Sequence, residues 1–197
     1  MVEIYINGQL VDSQIEDEET IGDVLRSFEI TCEENKAAVI GIVVDGKQIT
    51  AELFDEEAEK PLGKNTKFDF TVVSENDIKA SFVKLSELFN ELSLQMENVP
   101  MELQKGNNKE VSASIRGLAD SIDQFCHVAT LASLFPNTFN KPEFNGFNFD
   151  EFFKDFSPIL KDFEEALQNN DSVMIGDLAE YEICPRLQSI SETLKKF

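Results

Sequence analysis

The chain has 197 residues and carries 38 acidic against 17 basic side chains, a formal net charge of −21. A field of that sign repels nucleic-acid phosphates and anionic lipid heads, which argues against DNA, RNA or a membrane surface as partner; it favours a basic protein partner or simply serves solubility. With 42% hydrophobic and 28% charged residues, the composition is that of a globular chain able to bury a core, as one large domain or two small ones.

Met1-Val2-Glu3-Ile4 shows neither a basic leader nor an apolar stretch of signal-peptide length. No run of apolar residues reaches the length needed to span a bilayer, so a cytoplasmic location is expected. Cys32, Cys126 and Cys184 are far apart and odd in number, which fits reduced thiols better than a disulfide framework or a CxxC site.

Val2, Ile4 and Ile6 alternate with Glu3 and Tyr5, the period of a strand with one buried face. Asn7-Gly8 suits a type I′ turn, and Leu10, Val11 and Ile15 supply the returning strand. Thr20 and Asp23 form a capping-box pattern with Asp in place of Glu, opening a short helix with Ile21, Val24, Leu25 and Phe28 on one side. The run Glu16-Asp17-Glu18-Glu19 lies just ahead, where the helix dipole favours negative charge. Ala37 to Val44 is β-branched and nearly continuous, as for a central strand buried on both faces. Asp45-Gly46 marks another tight turn, Lys47-Gln48-Ile49 leads back, and a polar stretch ends in Pro61-Leu62-Gly63. Lys67 to Val73 alternates once more.

The order hairpin, helix, strand, short strand, strand resembles the β-grasp fold of ubiquitin-like proteins, particularly the small sulfur carriers of thiamine and molybdopterin synthesis. Val43-Val44-Asp45-Gly46-Lys47 is similar to their strand and turn before the last segment. The resemblance covers residues 1–74 and implies a mixed sheet with one helix. That family's chemistry resides on a free C-terminal Gly-Gly. Here Val73 runs into Ser74-Glu75-Asn76 and the sequence closes on Lys195-Lys196-Phe197, so a sulfur-carrier role is not expected.

Ser74-Glu75-Asn76-Asp77 reads as a short polar joint with good N-cap residues. Beyond it the hydrophobic period becomes that of a heptad. Ile78, Phe82, Leu85, Phe89, Leu92, Met96, Val99 and Leu103 make one stripe, and Val111, Ile115, Leu118, Ile122, Phe125, Ala129 and Ala132 a second. Phe149, Phe153, Phe156, Leu160, Phe163 and Leu167 make a third, and Ile183, Leu187, Ile190, Leu194 and Phe197 a fourth. Gly106-Asn107-Asn108 and Asn169-Asn170-Asp171 are short separators, which predicts antiparallel neighbours. Pro100 leaves its stripe in register and so predicts a kink rather than an end. Met174, Leu178 and Tyr181 are out of phase with the stripe after Pro185, which predicts a bend or register shift there. The expected fold class is therefore α+β: a β-grasp-like domain over residues 1–74, then an all-α antiparallel four-helix bundle over residues 75–197.

The segment from Gly176 to Pro185 is similar to the last-helix motif of some uncharacterised bacterial helical proteins. Glu180 and Glu182 flank Tyr181, and two readings stand: contact with a basic partner, or a buried tyrosine between solvated carboxylates. Two residues apart on a helix, the glutamates point to different faces and are poorly placed to share a metal or a proton.

The least ordinary feature is the connection over residues 135–148 and the turn after it, where Phe135, Phe139, Phe144, Phe147, Phe149, Phe152, Phe153 and Phe156 crowd together. Pro136, Pro142, Gly146 and Asn137, Asn140, Asn145 and Asn148 prevent one continuous helix. Either Phe139, Phe144 and Phe147 pin this loop down, over the end of the bundle or against the N-terminal domain, or some of them, with Phe149, stay exposed as anchors for a partner.

No catalytic constellation is visible. His127 is the only histidine, and adjacent Cys126 and His127 diverge by about 100° on a helix. Gly63-Lys64-Asn65-Thr66 lacks the phosphate-loop spacing, Gly41 to Gly46 is not a dinucleotide fingerprint, and the acidic runs lack calcium-loop spacing. No enzyme activity, metal or cofactor is expected. The sequence favours a non-catalytic adaptor or chaperone-like binding protein, with Phe139, Phe144, Phe147, Phe149, Glu180, Tyr181 and Glu182 as candidate contact residues. The alternatives are a self-associating structural protein, as a homodimer completing the heptad stripes, and an enzyme using dispersed carboxylates between domains.

Overall fold

Phe68 and Phe70, two positions apart on one strand, are the most deeply buried side chains of a five-stranded N-terminal sheet. The computed structural model describes residues 2–12, 15, 17–139, 142–144 and 146–197; the expectations placed on Met1, Glu16, Asn140 and Asn145 lie outside the described residues. The protein is α+β, with a mixed N-terminal sheet followed by a mostly helical part. It divides into two compact units, Met1–Asp77 and Ile78–Phe197.

In the first unit the strands are β1 (Glu3–Ile6), β2 (Gln9–Val11), β3 (Ala37–Val44), β4 (Lys47–Gln48) and β5 (Lys67–Ser74), in the spatial order β2-β1-β5-β3-β4. Both tight turns rest on positive φ: Asn7 and Gly8 join β1 to β2, and Asp45 and Gly46 join β3 to β4. β1 pairs parallel with β5, while the remaining pairs are antiparallel. Ile4, Val44, Phe68 and Phe70 from the sheet meet Ile21, Val24 and Leu25 of helix α1 (Ile21–Glu34) in one core.

The expectation that β3 is buried on both faces is not met: most of it is half-buried, and Ile40 is 44% exposed. β5, not β3, is the central strand, and it carries the most deeply buried residues, Phe68 and Phe70. The cause is local. Register between β3 and β5 shifts between Val39 and Gly41, so Ile40 is the extra residue of a bulge and turns outward. Ile15 likewise lies beyond β2.

The Thr20–Asp23 capping box forms as its spacing requires: Thr20 Oγ1 accepts from Asp23 N at 3.1 Å, and the Asp23 carboxylate accepts from Thr20 N at 2.9 Å. The Thr20 hydroxyl, which donates to that carboxylate at 2.8 Å, and the Thr20 N–H hold the Asp23 carboxyl below the usual carboxylate range. Such a group stabilises the fold above its ordinary pKa and loses that contribution as pH falls through the lowered value. Helix α2 (Phe54–Ala58) was not foreseen, because five residues carry no readable period. Its Glu57 is buried and accepts from both Lys47 and Lys60, which hold its carboxyl low.

α1 and α2 approach closely at Gly22, where an added Cβ would stand 2.9 Å from the Ala58 carbonyl oxygen. An ordinary helical Gly→Ala change gains about 0.5–1 kcal/mol. Gly22→Ala is expected to reverse that sign and destabilise by about 1–3 kcal/mol through overpacking against backbone. A urea midpoint at or above that of the unaltered protein would refute it.

The polar joint expected at residues 74–77 is absent: β5 ends at Ser74 and α3 (Glu75–Gln104) starts at the next residue. Ser74 Oγ accepts from Asp77 N at 3.2 Å and the Asp77 carboxylate accepts from Ser74 N at 2.9 Å, so the strand's last residue doubles as the helix cap. α3 continues through Pro100. α4 (Asn108–Ala132) follows a turn at Gly106, and α5 (Phe149–Gln168) is capped by Asn148. The final stretch comprises α6 (Ser172–Asp177), a π-helical segment over Leu178–Ile183, and α7 (Cys184–Leu194). The phase change expected before Pro185 takes this form: a wider turn advances the buried line from Ile175 and Ala179 to Ile183, Leu187, Ile190 and Leu194.

Opposed residues fix helix directions. Phe89 meets Phe125 and Leu92 lies against Gly117, so α4 runs back along α3. Phe82 meets Phe197, Ser191 Oγ donates to the Ser86 carbonyl at 2.7 Å, and Gly176 lies against Pro100, so the final stretch also opposes α3. The α5 stripe is rotated from its expected line. Phe152, Phe156, Phe163 and Ala166 are buried, while Phe149 and Phe153 flank them half-buried, because aromatic residues on both sides of the helix compete for the core.

Candidate functional site

The phenylalanine-rich connection is folded around a small hairpin. Phe144 N donates to the Phe147 carbonyl at 2.8 Å, and Phe147 N donates back to Phe144 at 3.0 Å, with Gly146 at φ +83°. The two rings of this turn differ sharply in burial. Phe144 is 0% exposed, packed with Phe125, Phe149 and Phe152, whereas Phe147 is 45% exposed. Phe139 is buried against Phe82 and Phe197. Phe139 and Phe144 therefore pin the connection to the helical unit and are corrected as exposed anchors; a benzyl side chain with such neighbours gains more from packing than from water. Of the four candidate phenylalanines, Phe147 is exposed and Phe149 half-exposed.

A further tether comes from α7, where Thr193 Oγ1 donates to the Glu143 carbonyl at 3.0 Å. Thr193→Val keeps the shape and removes that bond. It is expected to cost about 1 kcal/mol and to speed hydrogen exchange over residues 142–149. Unchanged exchange there would show that the tether does not hold the connection.

Beneath the connection lies a partly open cavity of about 390 Å³. Rings of Phe82, Phe125, Phe139, Phe144, Phe149 and Phe197 line most of it. The C-terminal turns of α4 complete the wall with Ala129, Thr130, Ala132 and Ser133. Sequence reasoning missed these α4 residues. The available signal was alanine where the α4 stripe elsewhere carries larger side chains.

Glu180, Tyr181 and Glu182 lie elsewhere, on the π-helical segment on the order of 20 Å along the helix from the cavity-lining Leu194. The reading of Tyr181 as buried is overturned: it is 64% exposed. Tyr181 lies two residues beyond buried Ala179 and two before buried Ile183, about half a turn round the helix, so it faces away from the buried line. A hydrogen bond with Glu180 raises the Tyr181 hydroxyl above its ordinary pKa. Glu182 accepts from Arg186 Nη1 at 2.8 Å, and the same guanidinium reaches Asp155 on α5 at 2.6 Å. Glu182 thus has an intramolecular cation already. The two groups of candidate residues are not brought together.

Burial raises the Cys126 thiol, with the Asp123 carboxylate adding to the effect, which is the opposite of thiolate activation. Among the described residues, no group of three or more His, Cys, Asp or Glu side chains is placed to hold a metal ion. Among them, too, no helix is long and apolar enough to cross a membrane.

Residues 2–74 match a family model described as the TP0873 N-terminal domain, and residues 70–193 match one described as a domain of unknown function, DUF8042. A protein of Treponema pallidum (strain Nichols), described as "Uncharacterized protein", is 27% identical over 191 residues, covering 97% of this chain and 95% of that one. No solved structure gives a significant match. The larger model spans well over half of the sequence, from the last sheet strand through α7, and the chain belongs to the DUF8042 family, with a TP0873-type sheet region ahead of its helices.

Proposed function

We propose that the protein is a non-catalytic binding factor, adaptor-like or chaperone-like, whose helical part presents an acidic, phenylalanine-lined surface to a basic protein partner in the cytoplasm. The observation that carries the reading is Phe147, a large apolar ring 45% exposed at the tip of a hairpin whose other ring is locked in the core. A hairpin held this way displays an aromatic anchor at low entropic cost, which is what an interface hot spot requires. The net charge of −21 supplies long-range attraction to a basic partner.

In this reading residues 1–74 are a β-grasp module without the sulfur carriers' terminal Gly-Gly, and residues 75–197 are a four-helix bundle whose last member is interrupted by the π turn. The order β2-β1-β5-β3-β4, with parallel β1 and β5 at its centre and α1 between the hairpin and β3, supports the first assignment. The opposed directions of α3, α4 and the final stretch support the second.

Capture from the native cytoplasm with the full chain tests the proposal. Basic proteins are expected to be recovered at low salt, with yield falling on raising salt and on Phe147→Ser, an exposed change expected to alter stability by less than about 0.5 kcal/mol. Recovery of the same proteins at the same yield with Phe147→Ser would overturn it.

A further inference from the structure

We propose that the cavity beneath the phenylalanine-rich connection is a binding site for a small, uncharged, hydrocarbon-rich molecule. The space is partly open, about 390 Å³, and walled almost wholly by aromatic and aliphatic side chains. It falls within the size range of small-molecule sites. Sequence choice creates it. The buried line of α4 runs through Val111, Leu118 and Phe125 and then drops to Ala132, with Ala129 beside it, where the connection passes overhead. A leucine or phenylalanine at either alanine would fill space that the connection instead encloses.

The lining specifies the ligand's chemistry by what its polar atoms are already doing. Thr130 Oγ1 donates to the Cys126 carbonyl at 2.8 Å and Ser133 Oγ donates to the Thr130 carbonyl at 2.6 Å, so both hydroxyl protons are spent on the helix backbone. The remaining described lining is phenyl, methyl, leucyl and prolyl surface. Among the described residues, no buried side-chain nitrogen or oxygen lacks a partner that a polar ligand or an ordered water could satisfy. A charged or strongly polar molecule would lose hydration here without compensation, and an anionic amphiphile would also meet the field of a chain of net charge −21. A neutral apolar molecule meets neither cost and gains dispersion contacts with ring edges and faces. Phe147 lies outside this lining, so the site stands independently of the protein-binding surface.

The test titrates the full chain with the neutral probe N-phenyl-1-naphthylamine, whose emission rises in apolar surroundings. Saturable binding at one site per chain is expected, at least tenfold weaker in Ala129→Phe, which fills the cavity, and unchanged in Phe147→Ala. Ser133→Leu narrows the same wall and replaces Ala129→Phe if that variant fails to keep a cooperative thermal transition. The anionic probe 1-anilinonaphthalene-8-sulfonate is expected to bind at least tenfold more weakly at low salt. Absence of saturable binding, equal affinity in a folded cavity-filling variant, or preference for the anionic probe would overturn the proposal. Because Phe147→Ser is read out by protein capture and Ala129→Phe by probe binding, failure of either assignment leaves the other intact.

Discussion

Phe144→Ala is expected to destabilise the helical unit by about 3–5 kcal/mol, enough to lower its thermal midpoint on the order of 10 °C. The ring is fully buried, with its centroid 5.2 Å from that of Phe152, 5.9 Å from Phe125 and 6.2 Å from Phe149, so truncation forfeits contacts on several sides. It also enlarges a void that already exists, and the cost of such a change grows with the volume that cannot collapse. Phe147→Ala, three residues away in the same hairpin, is expected to change stability by less than about 0.5 kcal/mol. Urea denaturation of the two variants measures the contrast. Equal midpoints would mean that the hairpin does not divide its rings between core and surface.

Much of the architecture was legible because local chemistry and global packing agree. Thr20 and Asp23 carry their cap geometry in their spacing, and Asn7-Gly8 and Asp45-Gly46 carry the positive φ of their turns. The α3 stripe is buried from Ile78 to Val99, because an unbroken heptad leaves one face to cover. Legibility fails where burial depends on partners far away in sequence. β3 has the composition of a central strand, yet which strand is central is decided by pairing, and the bulge at Ile40 by register with β5. Tyr181 has the spacing of a core residue with Met174 and Leu178, but the helix buries the neighbouring line through Ile175 and Ala179 instead.

The same limit explains the candidate site. Composition pointed to the crowd of phenylalanines, but which rings turn inward depends on the Phe144–Phe147 pairing and on walls from α3, α4 and α7. Phe144 and Phe147 are chemically identical and three residues apart; the neighbours Phe125, Phe149 and Phe152, which surround Phe144, distinguish them. The cavity itself is written as small side chains, Ala129 and Ala132, and small side chains are the weakest signal a hydrophobic pattern can give.

Phe70→Ala is expected to be the comparable change in the N-terminal unit, again about 3–5 kcal/mol. Phe70 sits on the central strand, paired with Ile6 on one side and Ile42 on the other, and its ring stacks on Phe28 of α1 with centroids 3.9 Å apart and planes 13° from parallel. The pair joins sheet to helix, so truncation at Phe70 opens a gap that α1 cannot close without disturbing the packing of its Ile21 and Leu25 in the shared core. Phe28 is half-buried, and Phe28→Ala should cost less. Because each change removes the same ring contact, the double variant should be less destabilised than the sum, by about 0.5–1.5 kcal/mol. Hydrogen exchange should localise the effect, with protection lost across α1, β1 and β5. A Phe70→Ala protein within about 1 kcal/mol of the parent, against the usual cost of emptying a core phenyl site, would mean that the sheet is not anchored through this strand.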